Sequence, residues 1–214
     1  MRFAGLVLPL AAACALAPVT VAAQSLIDHS AAVSTRDISA SAQARDTMNR
    51  FAECIVTERT AAVRRALAEP THGAVTIGLA KLASDDCIMG GELQMGTALF
   101  RGAIYRAMYM RDFGADAPLP PGELMVGASS DPVLVFGDCV ATLDPAETRA
   151  FVMARPATSV ENEAVAKLSA SFGRCLAPGN EARFSKTVLQ GALAEALYRR
   201  SVASAARAEL AETN

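Results

Sequence analysis

The chain has 214 residues, 52% of them hydrophobic, with 20 Lys and Arg against 22 Asp and Glu and a formal net charge of −2. So even a balance supplies no pull toward nucleic acid and argues against it as a partner. The hydrophobic fraction is carried by Ala, Leu and Val, with no Trp and only 5% aromatics, which favours closely packed helices over a β-sandwich.

Met1-Arg2 makes a short positive start, and Phe3 to Ala22 is apolar except for Thr20. Val21-Ala22-Ala23 places short side chains where a signal peptidase needs them, and Gln24-Ser25 opens a polar stretch without the basic flank of a stop-transfer segment. Residues 1–23 therefore read as a signal peptide cleaved after Ala23. A rival lipoprotein reading makes Cys14 the lipidated residue, but the apolar run continues past it through Ala15-Leu16-Ala17, as a signal core does. Loss of Arg2 leaves 19 basic residues against 22 acidic ones, a net of −3 on a mature chain of about 190 residues. No transmembrane segment is expected in that chain, because Arg101 and Arg106 interrupt its most apolar stretch. Residues 24–47, rich in Ser, Ala and Asp, read as a flexible tail.

A repeat organises the rest. Phe51-Ala52-Glu53-Cys54 recurs as Phe136-Gly137-Asp138-Cys139, and Ala80-Lys81-Leu82 as Ala166-Lys167-Leu168. Cys87 then matches Cys175, and Gly102-Ala103-Ile104-Tyr105-Arg106-Ala107-Met108-Tyr109 matches Gly191-Ala192-Leu193-Ala194-Glu195-Ala196-Leu197-Tyr198. The matches keep their order, so the expected fold class is all-α: two tandem three-helix units, each with one internal disulfide, packed as a helical bundle. Unit one covers residues 48–111 and unit two 133–210. The stretch 112–132 between them, with Pro118, Pro120-Pro121-Gly122 and Asp131-Pro132, has the composition of a linker.

In unit one the first helix is predicted over 46–68, ended by Pro70, and the second over 74–84. The third runs over 93–111. In unit two the first helix is open to a break at Asp144-Pro145, a good cap and first-turn pair. The second spans 159–172 with Ser159 as its cap, and the third 181–206. At 100° per residue Phe100, Ala103, Ile104, Ala107 and Met108 share one face, repeated by Leu189, Ala192, Leu193, Ala196 and Leu197. Both faces are expected to be core.

Gly102 and Gly191 stand inside these third helices, where glycine costs about 1 kcal/mol relative to alanine. Each lies two turns before a tyrosine, Tyr109 or Tyr198. The plain reading is close helix approach beside a packed ring; the functional one makes Gly102, Tyr109, Gly191 and Tyr198 a ligand notch. Setting Cys14 aside, the four cysteines of an exported chain point to disulfides. Duplication selects Cys54 with Cys87 and Cys139 with Cys175 from the three possible pairings, because a stand-alone ancestral unit must pair its own two. None has the spacing of a redox or zinc site.

Catalytic signals are thin. His72 follows Pro70 with no copy in unit two, and Asp85 and Asp86 lie in an acidic loop, so a hydrolase using this region is the competing enzyme reading. No EF-hand, phosphate loop, H-E-x-x-H or G-x-S-x-G occurs, and no metal, cofactor or catalytic residue is assigned.

The pattern F-x-[E/D]-C, A-K-L, a second cysteine and G-A-[I/L]-x-x-A-[M/L]-Y resembles exported proteobacterial proteins of unknown function with a duplicated two-cysteine helical unit. The resemblance covers most of residues 48–200 and implies the duplicated fold and no activity. The expected function is that of a periplasmic or secreted, non-enzymatic protein that binds another macromolecule, a protein or envelope partner, or serves a structural role. A small-ligand carrier is the further alternative.

Overall fold

The computed structural model describes residues 35–88, 93–122, 129–176 and 181–213, with side chains from residue 41 onward. The expected signal peptide, its cleavage point and Cys14 lie outside the described residues. Among the described residues there are seven α-helices and no strand: α1 (Thr35–Leu67), α2 (His72–Ala80), α3 (Thr97–Asp112), α4 (Pro132–Leu143), α5 (Pro145–Met153), α6 (Ser159–Cys175) and α7 (Lys186–Glu212). A short 3-10 turn, Asp85–Cys87, follows α2.

The duplication maps directly onto these elements. α1 of unit one corresponds to α4 and α5 of unit two, which Asp144-Pro145 separates at the expected break. α2 corresponds to α6 and α3 to α7. The disulfides are Cys54–Cys87 and Cys139–Cys175, with Cα atoms 5.7 and 5.8 Å apart. Each ties the first helix of its unit to the segment that closes the second: Cys87 in the 3-10 turn after α2, and Cys175 at the last residue of α6.

α3 and α7 form the most extensive helix pair and the centre of the molecule. α1 and α4 flank them, one against each. The predicted faces are core: Ile104, Met108, Leu193 and Leu197 are fully buried. Burial goes further than an amphipathic stripe, because every residue from Gly102 to Tyr109 is buried, Arg106 included. On α7 the same holds for 192–198, with Glu195 inside. A helix packed on all sides carries its charges into the core and must find them partners there.

Several boundaries differ from the sequence reading, each for a local reason. α1 begins at Thr35, so the presumed tail is helical from there; Ala40, Ala42 and Ala44 favour helix, and Arg45 further on is anchored in the core. The same helix departs from helical geometry at Arg59 (φ −131°, ψ 32°). Thr57 and Thr60 bracket that point and donate their hydroxyls to the carbonyls of Glu53 and Val56, the back-bonding that bends helices. α2 starts at His72 because Thr71 caps the Ala74 N–H, and it stops at Ala80, where a turn delivers Cys87 to Cys54. The cap of α6 is Thr158, not Ser159; its hydroxyl accepts from the Glu161 N–H. α3 starts at Thr97 after Gly96, and α7 at Lys186 after its cap Ser185, later than the hydrophobic pattern indicates. Beyond Ser201, α7 continues largely exposed to Glu212 on alanine-rich helix propensity.

The first part of the linker is strapped down. Arg149 donates to the carbonyls of Ala115 and Ala117, both at 2.6 Å, and Arg200 donates to Pro121 O and, at 2.7 Å, to Thr142 Oγ1.

Candidate functional site

Gly102 and Gly191 meet. A Cβ built on Gly102 would lie 2.5 Å from the Cα of Gly191, and one on Gly191 would lie 3.1 Å from the Cα of Gly102. Equivalent residues of the two units thus touch each other, the relation found where a two-fold axis passes through an interface. Gly137 is a second close approach, since a Cβ there would stand 2.9 Å from the carbonyl oxygen of Ala192.

The two tyrosines lie two turns away from this crossing and are occupied. Tyr109 is fully buried, stacks on Phe113 with ring centroids 5.6 Å apart, and accepts a hydrogen bond from Arg149 Nε at 2.8 Å. Tyr198 packs near Tyr105 and Phe113 and donates its hydroxyl to Asp112 Oδ2 at 3.2 Å. Burial and the Asp112 carboxylate push its phenol up to about 12. Neither tyrosine lines the pocket that opens beside the glycines.

His72, Asp85 and Asp86 are not gathered into one cleft. Asp85 lines a hollow of about 240 Å³ with Phe51, Ile88 and Phe100, whereas Asp86 lines one of about 250 Å³ beside the Cys54–Cys87 bridge. His72 lines neither. Its Nδ1 stands 3.0 Å from Glu195 Oε1 on α7, a carboxylate from the other unit. Among the described residues no group of three or more His, Cys, Asp and Glu side chains is arranged to hold a metal ion.

The polar cluster that does form is centred on Glu195, 2% exposed. Arg101 Nε lies 3.1 Å from Glu195 Oε2, and Arg101 NH1 donates to Thr76 Oγ1 of α2 at 2.9 Å. Each oxygen of this buried carboxylate thus faces one partner, Oε1 the His72 imidazole and Oε2 the Arg101 guanidinium. Desolvation raises the Glu195 pKa above the ordinary carboxylate value, with Arg101 and His72 pulling against it. The neighbouring Tyr105 phenol is raised as well, by burial first and by the Glu195 charge second.

A second buried network also joins the units. Arg45 of α1 pairs with Glu161 of α6, which is fully buried, and donates to Gln190 Oε1 at 3.3 Å. Gln190 Nε2 donates in turn to the carbonyls of Phe151 and Val152 at the end of α5. Arg106 Nε donates to the same Val152 carbonyl at 2.9 Å while its NH1 pairs with Glu53 at 2.9 Å. Glu161 also accepts from the N–H of Ala157, whose φ of 60° is the left-handed conformation that alanine rarely adopts. Sequence reasoning passed over Arg45, Arg101, Arg106, Glu161 and Glu195. One signal was present: Arg106 and Glu195 occupy the same repeat position, one turn after the glycine.

Comparison with protein-family models, with curated proteins and with solved structures returns no match.

Proposed function

We propose that this is an exported protein, of the kind it resembles among proteobacterial proteins, that acts as a rigid helical module binding another macromolecule or serving a structural role in the envelope. The observation that carries this reading is the use made of the buried charges. Arg45 with Glu161, Arg106 with Glu53 and Glu195 with Arg101 each tie one helix to another. They are placed to hold a duplicated scaffold together, which leaves recognition to its outer faces. Export is supported by the two disulfides, which persist in oxidising compartments. Among the described residues no helix is long and apolar enough to cross a membrane.

The carrier alternative has little room, because α3 and α7 touch at their glycines and the pocket beside them is about 130 Å³. The hydrolase alternative draws on one observation, the His72 imidazole against the Glu195 carboxylate, which is the pairing that orients a general base. One experiment separates the readings. The oxidised mature protein and its His72→Ala variant are used side by side for cross-linked capture from host envelope extract and for turnover of ester, peptide and glycoside substrates. A shared partner retained by both proteins, without turnover, is the expected result. Turnover that His72→Ala abolishes would overturn the binding reading in favour of hydrolysis.

A further inference from the structure

Unit one lacks two groups that unit two has at equivalent places, and both differences open onto one hollow. The first is an aromatic ring. Phe136, the counterpart of Phe51, packs against Phe172 and Phe184 with ring centroids 5.7 and 5.0 Å apart. Phe172 stands three residues before Cys175, and the residue three before Cys87 is Ser84; Phe184 stands seven before Gly191, and the residue seven before Gly102 is Met95. Phe51 keeps one ring partner, Phe100 of α3, at 5.6 Å. The local cause is helix length. α6 continues to Cys175 and carries Phe172 against Phe136, whereas α2 ends at Ala80 and Ser84 follows in an extended conformation, its hydroxyl donating to Asp86 Oδ2 at 2.9 Å. Beside Phe51, Phe100, Met95 and Ser84 lies the hollow of about 240 Å³. That volume exceeds the roughly 150 Å³ of an engineered apolar cavity that holds benzene, and the two rings on its wall offer the surface on which a third packs tilted or offset.

The second difference is a helix cap. α7 is capped by Ser185, whose hydroxyl accepts from the Val188 N–H at 3.3 Å. The repeat counterpart of Ser185 is Gly96, the residue that precedes α3, and it has no side chain to offer. The first N–H groups of a helix have no partner within the helix and carry the positive end of its dipole, so they favour an acceptor oxygen. Thr97, the first residue of α3, is exposed and lines the same hollow. Asp85, exposed at the rim, is a negative charge that disfavours a free carboxylate there and leaves a neutral carbonyl as the fitting acceptor.

A phenyl ring and a neutral carbonyl oxygen on one short arm are what a phenylalanine residue within a polypeptide presents. We propose that this hollow receives a phenylalanine residue of a protein partner. Its ring packs on Phe51 and Phe100, where unit two packs Phe172 on Phe136, and its backbone carbonyl accepts from the first turn of α3, where unit two uses Ser185. The inference rests on the macromolecule-binding reading and names the chemistry of the partner.

The test is an amide NMR titration of the oxidised mature protein with N-acetylphenylalanine methylamide, with N-acetylalanine methylamide, which keeps the carbonyls without the ring, and with benzyl alcohol, which keeps the ring without a carbonyl. Saturable shifts at Ser84, Thr97 and Phe100 are expected with the phenylalanine derivative in the millimolar range, and binding of each of the other two about tenfold weaker or worse. Ser84→Phe, which supplies the ring from within, should abolish the response. Gly96→Ser, which supplies the cap, should weaken it several-fold. A Cβ at Gly96 meets nothing within 4 Å, so this variant keeps the fold and the test holds even if Ser84→Phe fails to fold. Absence of saturable shifts, binding of the alanine derivative or of benzyl alcohol as tight as that of the phenylalanine derivative, or a response unchanged by Gly96→Ser would each overturn the inference. The probe reads this site alone, so its failure leaves the outcome of partner capture, and with it the binding reading, untouched.

Discussion

Replacing Gly102 with alanine is expected to destabilise the protein by about 2 to 3 kcal/mol, although it removes a glycine from a helix interior. Helix propensity alone favours the change by about 1 kcal/mol. The added Cβ, however, would sit 2.5 Å from the Gly191 Cα, and the atom in its way is backbone and cannot swing aside. The two central helices must separate, and every layer packed around them opens with them, which carries the overpacking cost to the top of its usual range of about 1 to 3 kcal/mol or beyond it. Gly191→Ala meets the opposite helix, at the Gly102 Cα, at 3.1 Å and should cost less. For a chain of this size each kcal/mol moves the melting temperature by about 2 to 4 °C. Thermal melts of the two variants check the order: Gly102→Ala lowest, Gly191→Ala between it and the native protein. A rise in melting temperature for Gly102→Ala would mean that the helices do not meet there.

Truncating Glu161 to alanine should cost about 3 to 5 kcal/mol, because it strands the Arg45 guanidinium in the core without its counter-charge. Arg45→Met combined with Glu161→Leu should recover much of that loss, since removing both partners leaves no uncompensated charge in the core. The same carboxylate sets part of the acid limb of stability. Desolvation pushes its pKa up, but the Arg45 hydrogen bond, the Ala157 N–H and the Arg45 and Lys186 charges outweigh that, so its folded pKa is below the ordinary 4.5. A depressed carboxylate contributes its full stability above about 4.5 and loses it as pH falls through the folded value. Glu195, raised, has the opposite sign: its preference for the protonated form favours folding below the ordinary value, and this contribution disappears as pH rises through its folded pKa. Urea unfolding measured from about pH 7 to about pH 3 should therefore show a shallower acid limb in Glu161→Ala than in the native protein. An unchanged acid limb would contradict the assigned role of Glu161.

Why the Arg45–Glu161 pair escapes a reading of the sequence is instructive. Helix faces such as Phe100, Ile104 and Met108 are legible because their partners are set by a period of 3.6 along one segment. The disulfide pairing and the break at Asp144-Pro145 are legible because the repeat and local turn chemistry specify them. Arg45 lies in a Ser- and Ala-rich stretch with the look of a tail, and the residue that anchors it is 116 positions away. Nothing local marks it. The Glu195 cluster is hidden in the same way, since Asp85 and Asp86 are the acidic residues that follow His72 within its unit but His72 takes its carboxylate from the other unit. The Gly102 and Gly191 notch was visible as two costly residues at one repeat position; that the two glycines face each other is a tertiary fact.

The packing cost, the relation between the units and the pocket beside Glu195 all hang on that crossing. It is measured most directly by a carbon-edited NOESY spectrum of the oxidised mature protein labelled at glycine Cα. With the helices as close as the Gly102 geometry places them, a strong cross-peak between the α-protons of Gly102 and Gly191 is the predicted result. Assigned α-proton signals from both glycines with no cross-peak between them would contradict the account.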